Sequence, residues 1–308
     1  MIFVITGQTA TGKTQLALEY AAKYNGELIN FDARQVYQYL DIITGKDLTD
    51  QQFHLVKKAA DFNIGYYQLT QIPIWLYDIV KPNQYFSSFD YRNLALTVIS
   101  DIISRGKTPI LVGGTYLYFY HLLYRVDTEN IPPDFELRES LNDSTVPELQ
   151  NKLNTISYQS INRLNESDRS NPQRLIRKIE IALHYQKLGQ DLPLEFKFKL
   201  NPYFNAKRLE VLGLKTENKE ILIQRIKQRV EKRLKEGAIT EVKKILNLGF
   251  SSQDPGLRTI GYQQIIKFIR QEIDEPTMIT EWVNKEVQYA KRQLTFMKKD
   301  PSIKWVNQ

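Results

Sequence analysis

Cysteine is absent from the 308-residue sequence, which excludes disulfide bridges, thiolate catalysis and zinc bound by cysteine. Histidine is scarce, and His54, His121 and His184 stand too far apart for the spacing typical of metal ligands. The sequence also lacks a basic leader and any apolar run of about eighteen residues, so we expect a cytoplasmic protein without a transmembrane helix. Its 42% hydrophobic and 25% charged residues are ordinary for a folded chain.

Positive charge is concentrated in the last third of the chain. Residues 1–196 contain 19 Lys and Arg against 22 Asp and Glu, whereas residues 197–308 contain 23 against 13. Such an asymmetry suggests an anionic partner, and RNA is the first candidate. A set of solvated helix faces would explain the composition equally well.

The pattern of apolar residues predicts an α/β protein. Over the first 120 residues, short apolar runs alternate with amphipathic segments, as in a parallel sheet with crossover helices. Strands are predicted at 1–6, 27–31, 74–80, 108–113 and 209–214. Helices are predicted at 13–24, 90–105, 115–124, 172–188, 217–236, 238–248 and 277–297. We predict a P-loop NTPase-like core, 1–124 and 201–308, into which a mostly helical subdomain, 125–200, is inserted.

One motif binds phosphate chains in many proteins. The run Gly7, Gln8, Thr9, Ala10, Thr11, Gly12, Lys13 and Thr14 matches G-x-x-x-x-G-K-[ST] in full, between a predicted strand and a predicted helix. Backbone N–H groups and the helix N-terminus would surround phosphate oxygens, Lys13 would neutralise them, and the Thr14 hydroxyl suits Mg²⁺. The motif does not tell which phosphate chain is bound. The alternative is a glycine turn that binds nothing.

A carboxylate follows the second predicted strand. Asp32, beside Arg34 and Gln35, stands at the carboxyl end of that strand, where ligands bind in open α/β sheets. Its carboxylate could accept a proton while the two neighbours orient a polar substrate. It could equally be a cap for the backbone N–H groups of a following helix.

Six segments together resemble the tRNA dimethylallyltransferase family. They are GQTATGKT, INFDARQVYQYLDIITGK, LVGGTYLYFYHLL, NPQRLIRKIEIAL, IGYQQI and VQYAKRQL, in the order of the family and spanning residues 7–294. The first segment is common to P-loop proteins, whereas the ordered set is specific. The resemblance implies that the loop binds dimethylallyl diphosphate with Mg²⁺, and that Asp32 is the base that deprotonates an adenosine amine beside the anticodon.

The resemblance also implies a set of binding residues. On the tRNA side, for the anticodon stem-loop, these are Asp32, Ala33, Arg34, Gln35, Thr115, Arg138, Gln173, Arg174, Leu175, Ile176 and Arg177. On the diphosphate side Lys219 aligns with a family arginine, and Arg225 and Arg229 are further candidates. Apart from the resemblance, the adjacent cations Lys291 and Arg292 on a predicted helix of the basic last third fit contacts with RNA phosphates. We expect a monomer.

The sequence departs from the family pattern at several positions. Ala33 stands where the family usually has serine, Tyr116 where it has a second glycine, and Ile74-Trp75 where it has a histidine pair. These differences place the chain on a divergent branch.

Three other functions stay open at this stage. A small-molecule P-loop kinase would share the loop and Mg²⁺ but should carry an arginine-bearing lid. An isopentenyltransferase for free adenine nucleotides would resemble the chain mainly around the loop. A tRNA-binding paralogue without activity would have no need of Lys13, Thr14 and Asp32. Whether ATP competes at the loop is also open.

Overall fold

The computed structural model describes residues 1–48, 51–59, 61–193, 198–202, 204, 208–216 and 218–307. The chain divides into two compact units: the larger comprises 1–123 and 201–308, and the smaller is the inserted segment 124–200. The sequence pattern predicted an insertion over 125–200. Among the described residues, no helix is both long and apolar enough to span a membrane.

The described residues form ten strands, twelve α-helices and one 3₁₀ turn. The strands are β1 (Ile2–Gly7), β2 (Gly26–Asn30), β3 (His54–Ala59), β4 (Phe62–Leu69), β5 (Ile72–Trp75), β6 (Thr108–Val112), β7 (Tyr124–Val126), β8 (Phe198–Leu200), β9 (Leu209–Lys215) and β10 (Ile303–Asn307). The helices are α1 (Lys13–Tyr24), α2 (Ser88–Ser104), α3 (Tyr116–Leu123), α4 (Phe135–Ser140), α5 (Val146–Ile156), α6 (Tyr158–Asn162), α7 (Glu166–Arg169), α8 (Pro172–Lys187), α9 (Lys219–Lys235), α10 (Ala238–Asn247), α11 (Tyr262–Ile269) and α12 (Glu275–Met297), with a 3₁₀ turn at Asp127–Asn130.

The larger unit is built on one largely parallel sheet. Its strand order is β10-β9-β1-β6-β2-β5-β4-β3; β4 runs antiparallel to both β5 and β3, and the other described pairs of neighbouring strands are parallel. Every residue of β1 is buried, as expected of a central parallel strand covered on both faces. Ala17 and Ala21 of α1 pack against this sheet. The structure confirms the predicted α/β class.

One strand prediction is wrong in its extent, and several strands of the structure were not predicted. The predicted strand 74–80 ends at Trp75, because Leu76 and Asp78 adopt φ angles of 67° and 55°, which no extended strand allows. Strands β7, β8 and β10 and the β3–β4 hairpin were not predicted, and the hairpin is the largest of these omissions. It adds an edge strand whose residues are mostly exposed, so the apolar alternation that indicates a half-buried strand is missing.

Ile74 and Trp75, which depart from the family pattern, are buried residues of strand β5. Ile74 is fully buried, and the Trp75 indole N–H donates to Glu27 Oε2 at 2.8 Å. Glu27 is itself buried and also accepts hydrogen bonds from Arg105 at 2.5 and 2.8 Å and from Lys107 at 2.7 Å. Burial alone would raise the pKa of Glu27, but these three hydrogen-bond donors lower it to about 2.

Replacing Glu27 by glutamine should weaken the fold and change its pH dependence. A carboxyl whose pKa is depressed stabilises the native state above its unfolded pKa, and that stabilisation is lost as the pH falls toward about 2. Because Arg105 and Lys107 are partly solvated, we expect a loss of only about 1–2 kcal/mol at pH 7. Urea unfolding between pH 7 and pH 2.5 measures this. A variant that unfolds with the same pH slope as the parent would contradict the assignment.

The smaller unit has its own apolar core. Helices α5 and α8 contribute most of it, and its buried members are Leu141, Leu149, Leu153, Leu175, Ile179 and Ala182. Helix α8 begins at Pro172, after the Asn171 side chain caps the backbone N–H of Arg174. Strands β7 and β8 pair antiparallel at the two ends of the unit's sequence.

Candidate active site

The phosphate loop connects β1 to α1 at the carboxyl edge of the sheet. Gly12 adopts a φ of 78° and Ala10 a φ of 61°, so the chain turns through left-handed conformations before the helix. Gln8 anchors the loop, because its carbonyl accepts Thr11 Oγ1 at 2.8 Å and its side-chain oxygen accepts the Thr216 backbone N–H at 3.1 Å. The Lys13 ammonium also donates to the Gln8 carbonyl, at 2.7 Å.

A cavity of about 570 Å³ opens above this loop. Its lining includes Thr9, Ala10, Thr11, Gly12, Lys13, Thr14, Asp32, Arg34, Gln35, Gly45, Lys46, Asp47, Leu69, Tyr77, Gly113, Arg229, Lys232, Arg233, Tyr289 and Gln293. Most of the predicted phosphate loop and the predicted base therefore share one cavity. Burial lowers the pKa of Lys13 to about 8, with Asp32 opposing the shift and Arg229 adding to it.

The oxygen donors in the cavity fit Mg²⁺ only together with a phosphate ligand. Thr14 presents a hydroxyl, and Asp32 and Asp47 present carboxylates. Within the described ranges, however, no group of three or more His, Asp or Glu side chains could hold a metal ion. This is the usual situation for Mg²⁺, which keeps several waters and is bound by one or two protein oxygens and substrate phosphates.

Asp32 stabilises a turn of the backbone and also lines the cavity. Its Oδ1 accepts the backbone N–H of Arg34 at 3.0 Å, and the segment that follows is a turn, so no helix is capped there. Its Oδ2 lies 3.5 Å from the position that a Cβ on Gly114 would occupy, which places that oxygen beside the glycine turn after β6. The backbone N–H of Ala33 donates to Thr115 Oγ1 at 2.9 Å. The predicted Asp32 and Thr115 are thus held side by side.

Arg34 and Gln35 reach the cavity but are held by protein groups. Arg34 Nη1 donates to Glu286 Oε1 at 3.0 Å, and its guanidinium lies 3.9 Å from the centre of the Tyr289 ring. Gln35 Nε2 donates to the Gly45 carbonyl at 2.9 Å and to the Thr44 carbonyl at 3.2 Å. Both side chains have fixed positions at the cavity wall.

Helix α12 supplies two cavity residues that the sequence reasoning missed. Gln293 joins two loops, because its Oε1 accepts the Thr9 backbone N–H at 3.0 Å and its Nε2 donates to the Gly114 carbonyl at 2.9 Å. Tyr289, four residues earlier, stacks on Arg34. The predicted RNA-contacting residues of this segment, Lys291 and Arg292, are exposed. The spacing of four between Tyr289 and Gln293 was the available signal, since such residues share a helix face.

The cations of helix α9 that line the cavity are not Lys219 and Arg225, which were predicted first for the diphosphate side. Lys219 is exposed at the first turn of the helix and does not line the cavity. Arg225 donates to Thr216 Oγ1 at 3.3 Å and does not line it either. The fallback candidate Arg229 does line the cavity, and its guanidinium donates to Thr9 Oγ1. Because the helix repeats every 3.6 residues, Arg233 lies one turn further on the same face.

The predicted RNA-binding arginines of the smaller unit mostly surround a buried carboxylate. Arg138 forms a bidentate pair with Glu180, at 2.6 and 2.9 Å, and Arg177 donates to Glu180 at 3.0 Å. Burial alone would raise the pKa of Glu180, but these two arginines hold it below its ordinary value. Arg177 also donates to the carbonyls of Thr128 and Ile131.

The rest of the predicted segment in α8 divides into exposed and core residues. Gln173 and Arg174 are exposed, and Arg174 pairs with Asp168 at 2.8 Å. Leu175, which was predicted to bind tRNA, is completely buried and Ile176 packs against the same core, so the Leu175 side chain lies inside that core and is not exposed to a ligand. The apolar periodicity of this helix is explained by its core rather than by a ligand.

Comparisons with known proteins agree on one family. The family model described as IPP transferase matches residues 35–300. A protein named tRNA dimethylallyltransferase from Thermoanaerobacter sp. (strain X514) is 32% identical over 311 residues, covering 99% of this chain and 90% of the relative. Another, tRNA dimethylallyltransferase 1 of Citrifermentans bemidjiense, is 34% identical over 307 residues, covering 99% and 91%. The crystal structure of the tRNA isopentenylpyrophosphate transferase of Bacillus halodurans is similar at a TM-score of 0.66, with 28% identity and 99% and 89% of the two chains covered.

Proposed function

Since the chain belongs to the IPP transferase family, we propose that it transfers a dimethylallyl group from dimethylallyl diphosphate to the exocyclic amine of the adenosine beside the anticodon in tRNA. The observation that carries the proposal is the shared cavity, in which Lys13 of the phosphate loop and the carboxylate of Asp32 face the same space. A phosphate site next to a potential base suits an alkyl transfer in which diphosphate leaves. The basic last third supports RNA as the partner and hence a cytoplasmic location.

The donor side would stabilise the leaving group. As the C–O bond of the donor breaks, negative charge develops on the diphosphate and positive charge on the allylic carbon. Lys13 and Arg229 both line the cavity and would neutralise the departing diphosphate, together with the backbone N–H groups at the start of α1. Mg²⁺, held through Thr14 and the phosphates, would supply further electrostatic stabilisation.

The acceptor side would remove one proton. An adenosine amine is a weak nucleophile, so its attack on the allylic carbon needs a base that takes a proton as the C–N bond forms. This role for Asp32 is supported by its place in the cavity lining, by the Arg34 backbone N–H that its carboxylate accepts, and by the hydrogen bond from the neighbouring Ala33 N–H to Thr115. The products are the alkylated amine, a protonated Asp32 and free diphosphate. All of these groups come from a single chain, which agrees with an active monomer.

The proposal is tested by following label from donor to acceptor. Purified protein with Mg²⁺, radiolabelled dimethylallyl diphosphate and unmodified tRNA with consecutive adenosines in its anticodon loop should give labelled tRNA. Parallel reactions contain adenosine monophosphate in place of tRNA, or ATP in place of the prenyl donor. Label in the free nucleotide alone would assign the chain to nucleotide-acting enzymes. Phosphate transfer from ATP without prenyl transfer would indicate a kinase, and tRNA retention without any label would indicate a binding protein.

The rate of donor capture should fall at alkaline pH. With a pKa of about 8, Lys13 is charged below that pH and neutral above it, and only the charged form attracts a diphosphate. We therefore expect kcat/KM for dimethylallyl diphosphate to decline as the pH rises through about 8. The variant Lys13→Arg should have lower activity but no decline through about pH 8, so that any remaining decline lies nearer pH 9, the pKa of Arg233. The same alkaline decline in both proteins would show that another group titrates.

A further inference from the structure

Two arginines of α9 lie together beside the phosphate loop. Arg229 and Arg233 both line the cavity, and the Nη2 atoms of both lie 2.9 Å from the position that a Cβ on Gly45 would occupy. Gly45 has a φ of 71° and its missing side chain leaves the room for these two guanidinium groups. Arg229 also donates to Thr9 Oγ1 in the loop. The pair therefore extends the cationic surface of the phosphate loop.

The buried carboxylate of Glu286 lies close to Arg233 of this pair. Glu286 Oε1 accepts Arg34 at 3.0 Å and lies 4.0 Å from Arg233 Nη1, and the Glu286 side chain is 4% exposed. Its Oε2 has no hydrogen-bond donor in the part of the chain that the structure describes. Glu286 does not line the cavity, so it acts on a ligand only through the arginines.

The charges of this group are not balanced. Arg34, Arg229 and Arg233 lie around the carboxylate of Glu286, and the carboxylates of Asp32 and Asp47 also act on this group. With Lys13, which lines the same cavity, four cations are opposed by three carboxylates. Burial, and then the neighbouring Arg229, lower the pKa of Arg233 to about 9. Burial alone would raise the pKa of Glu286, but the three arginines hold it below its ordinary value, so it is ionised at neutral pH. Buried cations in excess of their counter-ions are stabilised by an anionic ligand.

We propose that Arg233 joins Arg229 in binding the diphosphate, and that Glu286 is a positioning residue that limits how tightly the pair holds it. The proposal rests on the proposed function for the identity of the anion. A diphosphate beside Thr9 meets two guanidinium groups one helical turn apart, each with several donors for phosphate oxygens. Glu286 holds Arg34 and Arg233 in place and cancels part of their charge. The reduced positive charge weakens binding of the diphosphate and so favours its release as product.

The two residues should have opposite effects on diphosphate binding. The probe is inorganic pyrophosphate with Mg²⁺, titrated calorimetrically into the full chain without tRNA. Removal of one charge a few ångströms from the ligand in a partly buried site is expected to change Kd by roughly tenfold. Glu286→Gln should therefore bind pyrophosphate about tenfold more tightly, and Arg233→Met about tenfold more weakly. In steady-state assays the KM for the prenyl donor should move in the same two directions.

Matched controls separate this effect from damage to the fold. Glu281→Gln removes a carboxylate of α12 that pairs with Lys267 at 3.1 Å, away from the cavity, and Lys235→Met removes an exposed cation of α9. Both controls should bind pyrophosphate as the parent does. Misfolding would lower the number of binding sites but would not tighten the affinity in any variant. If Arg233→Met does not fold, Arg233→Lys keeps the charge, loses the planar fork, and should still weaken binding about threefold.

The outcomes distinguish this inference from the proposed function. Opposite shifts in Kd support the inference, even if no label reaches tRNA in the transfer assay. Shifts in the same direction, or Kd values within twofold of the parent for both variants, overturn it even if transfer to tRNA is intact.

Discussion

Replacing Asp32 by asparagine is expected to lower the rate of transfer to tRNA by about 10²- to 10⁴-fold, the range for loss of a general base. An amide cannot take the proton that the attacking amine must lose. The amide oxygen can still accept the Arg34 backbone N–H, as Asp32 Oδ1 does at 3.0 Å, so the turn should survive. The loss should therefore appear in kcat, whereas the affinity for Mg²⁺-pyrophosphate should be retained or rise by up to about tenfold, because the negative charge that acts on Lys13 and Arg229 is removed.

A variant of Asp47 tests whether the rate falls because the proton acceptor is lost or because a negative charge is lost. Asp47 lines the same cavity, and Asp47→Asn removes the same charge without removing the base. We expect that variant to lose less than about tenfold in rate. Single-turnover reactions with bound donor and excess tRNA measure the step directly. If Asp32→Asn retains more than a tenth of the parental rate, another group or water accepts the proton.

Local patterns made part of this site predictable from the sequence. The phosphate loop needs glycines, a lysine and a hydroxyl at fixed spacing, so eight consecutive residues identified it. Asp32 could be located because the carboxyl ends of parallel strands meet at one edge of the sheet. The structure has this arrangement, since β2 pairs parallel with β6 over Gly26–Asn30. In both cases the chain around the residue determines where it lies.

The residues that the sequence reasoning missed come from distant segments. Glu286 and Gln293 look like ordinary polar residues of an amphipathic helix, and only the packing of α12 against α9 and β1 brings them to the loop. Lys219 was selected by counting back along a motif, but in the structure it is Arg229 and Arg233 that face the cavity. Leu175 was selected as a tRNA-binding residue from its place in a motif, and the structure places its side chain in the core of the smaller unit.

Replacement by alanine should lower the free energy of unfolding much more at Gly7 than at Gly12, although both glycines belong to the phosphate loop. A Cβ on Gly7 would lie 2.1 Å from the Leu214 carbonyl oxygen of β9, and the residue has a φ of 140°. A Cβ on Gly12 would have nothing within 4 Å, although its φ of 78° is also unfavourable for other residues. We expect Gly12→Ala to lower the free energy of unfolding by about 1–2 kcal/mol, the cost of a left-handed conformation.

Gly7→Ala should lose roughly 4 kcal/mol or more, since the methyl group can be accommodated only if β1 and β9 separate. The two strands pair over Ile2–Gly7 in the centre of the sheet, so a separation there would disturb the core and the loop together. Urea unfolding of both variants measures the difference. Similar losses would mean that strain in the loop, and not the contact between β1 and β9, determines the need for glycine. A selective loss in Gly7→Ala would show that the phosphate loop depends on a backbone contact in the sheet as much as on its own sequence.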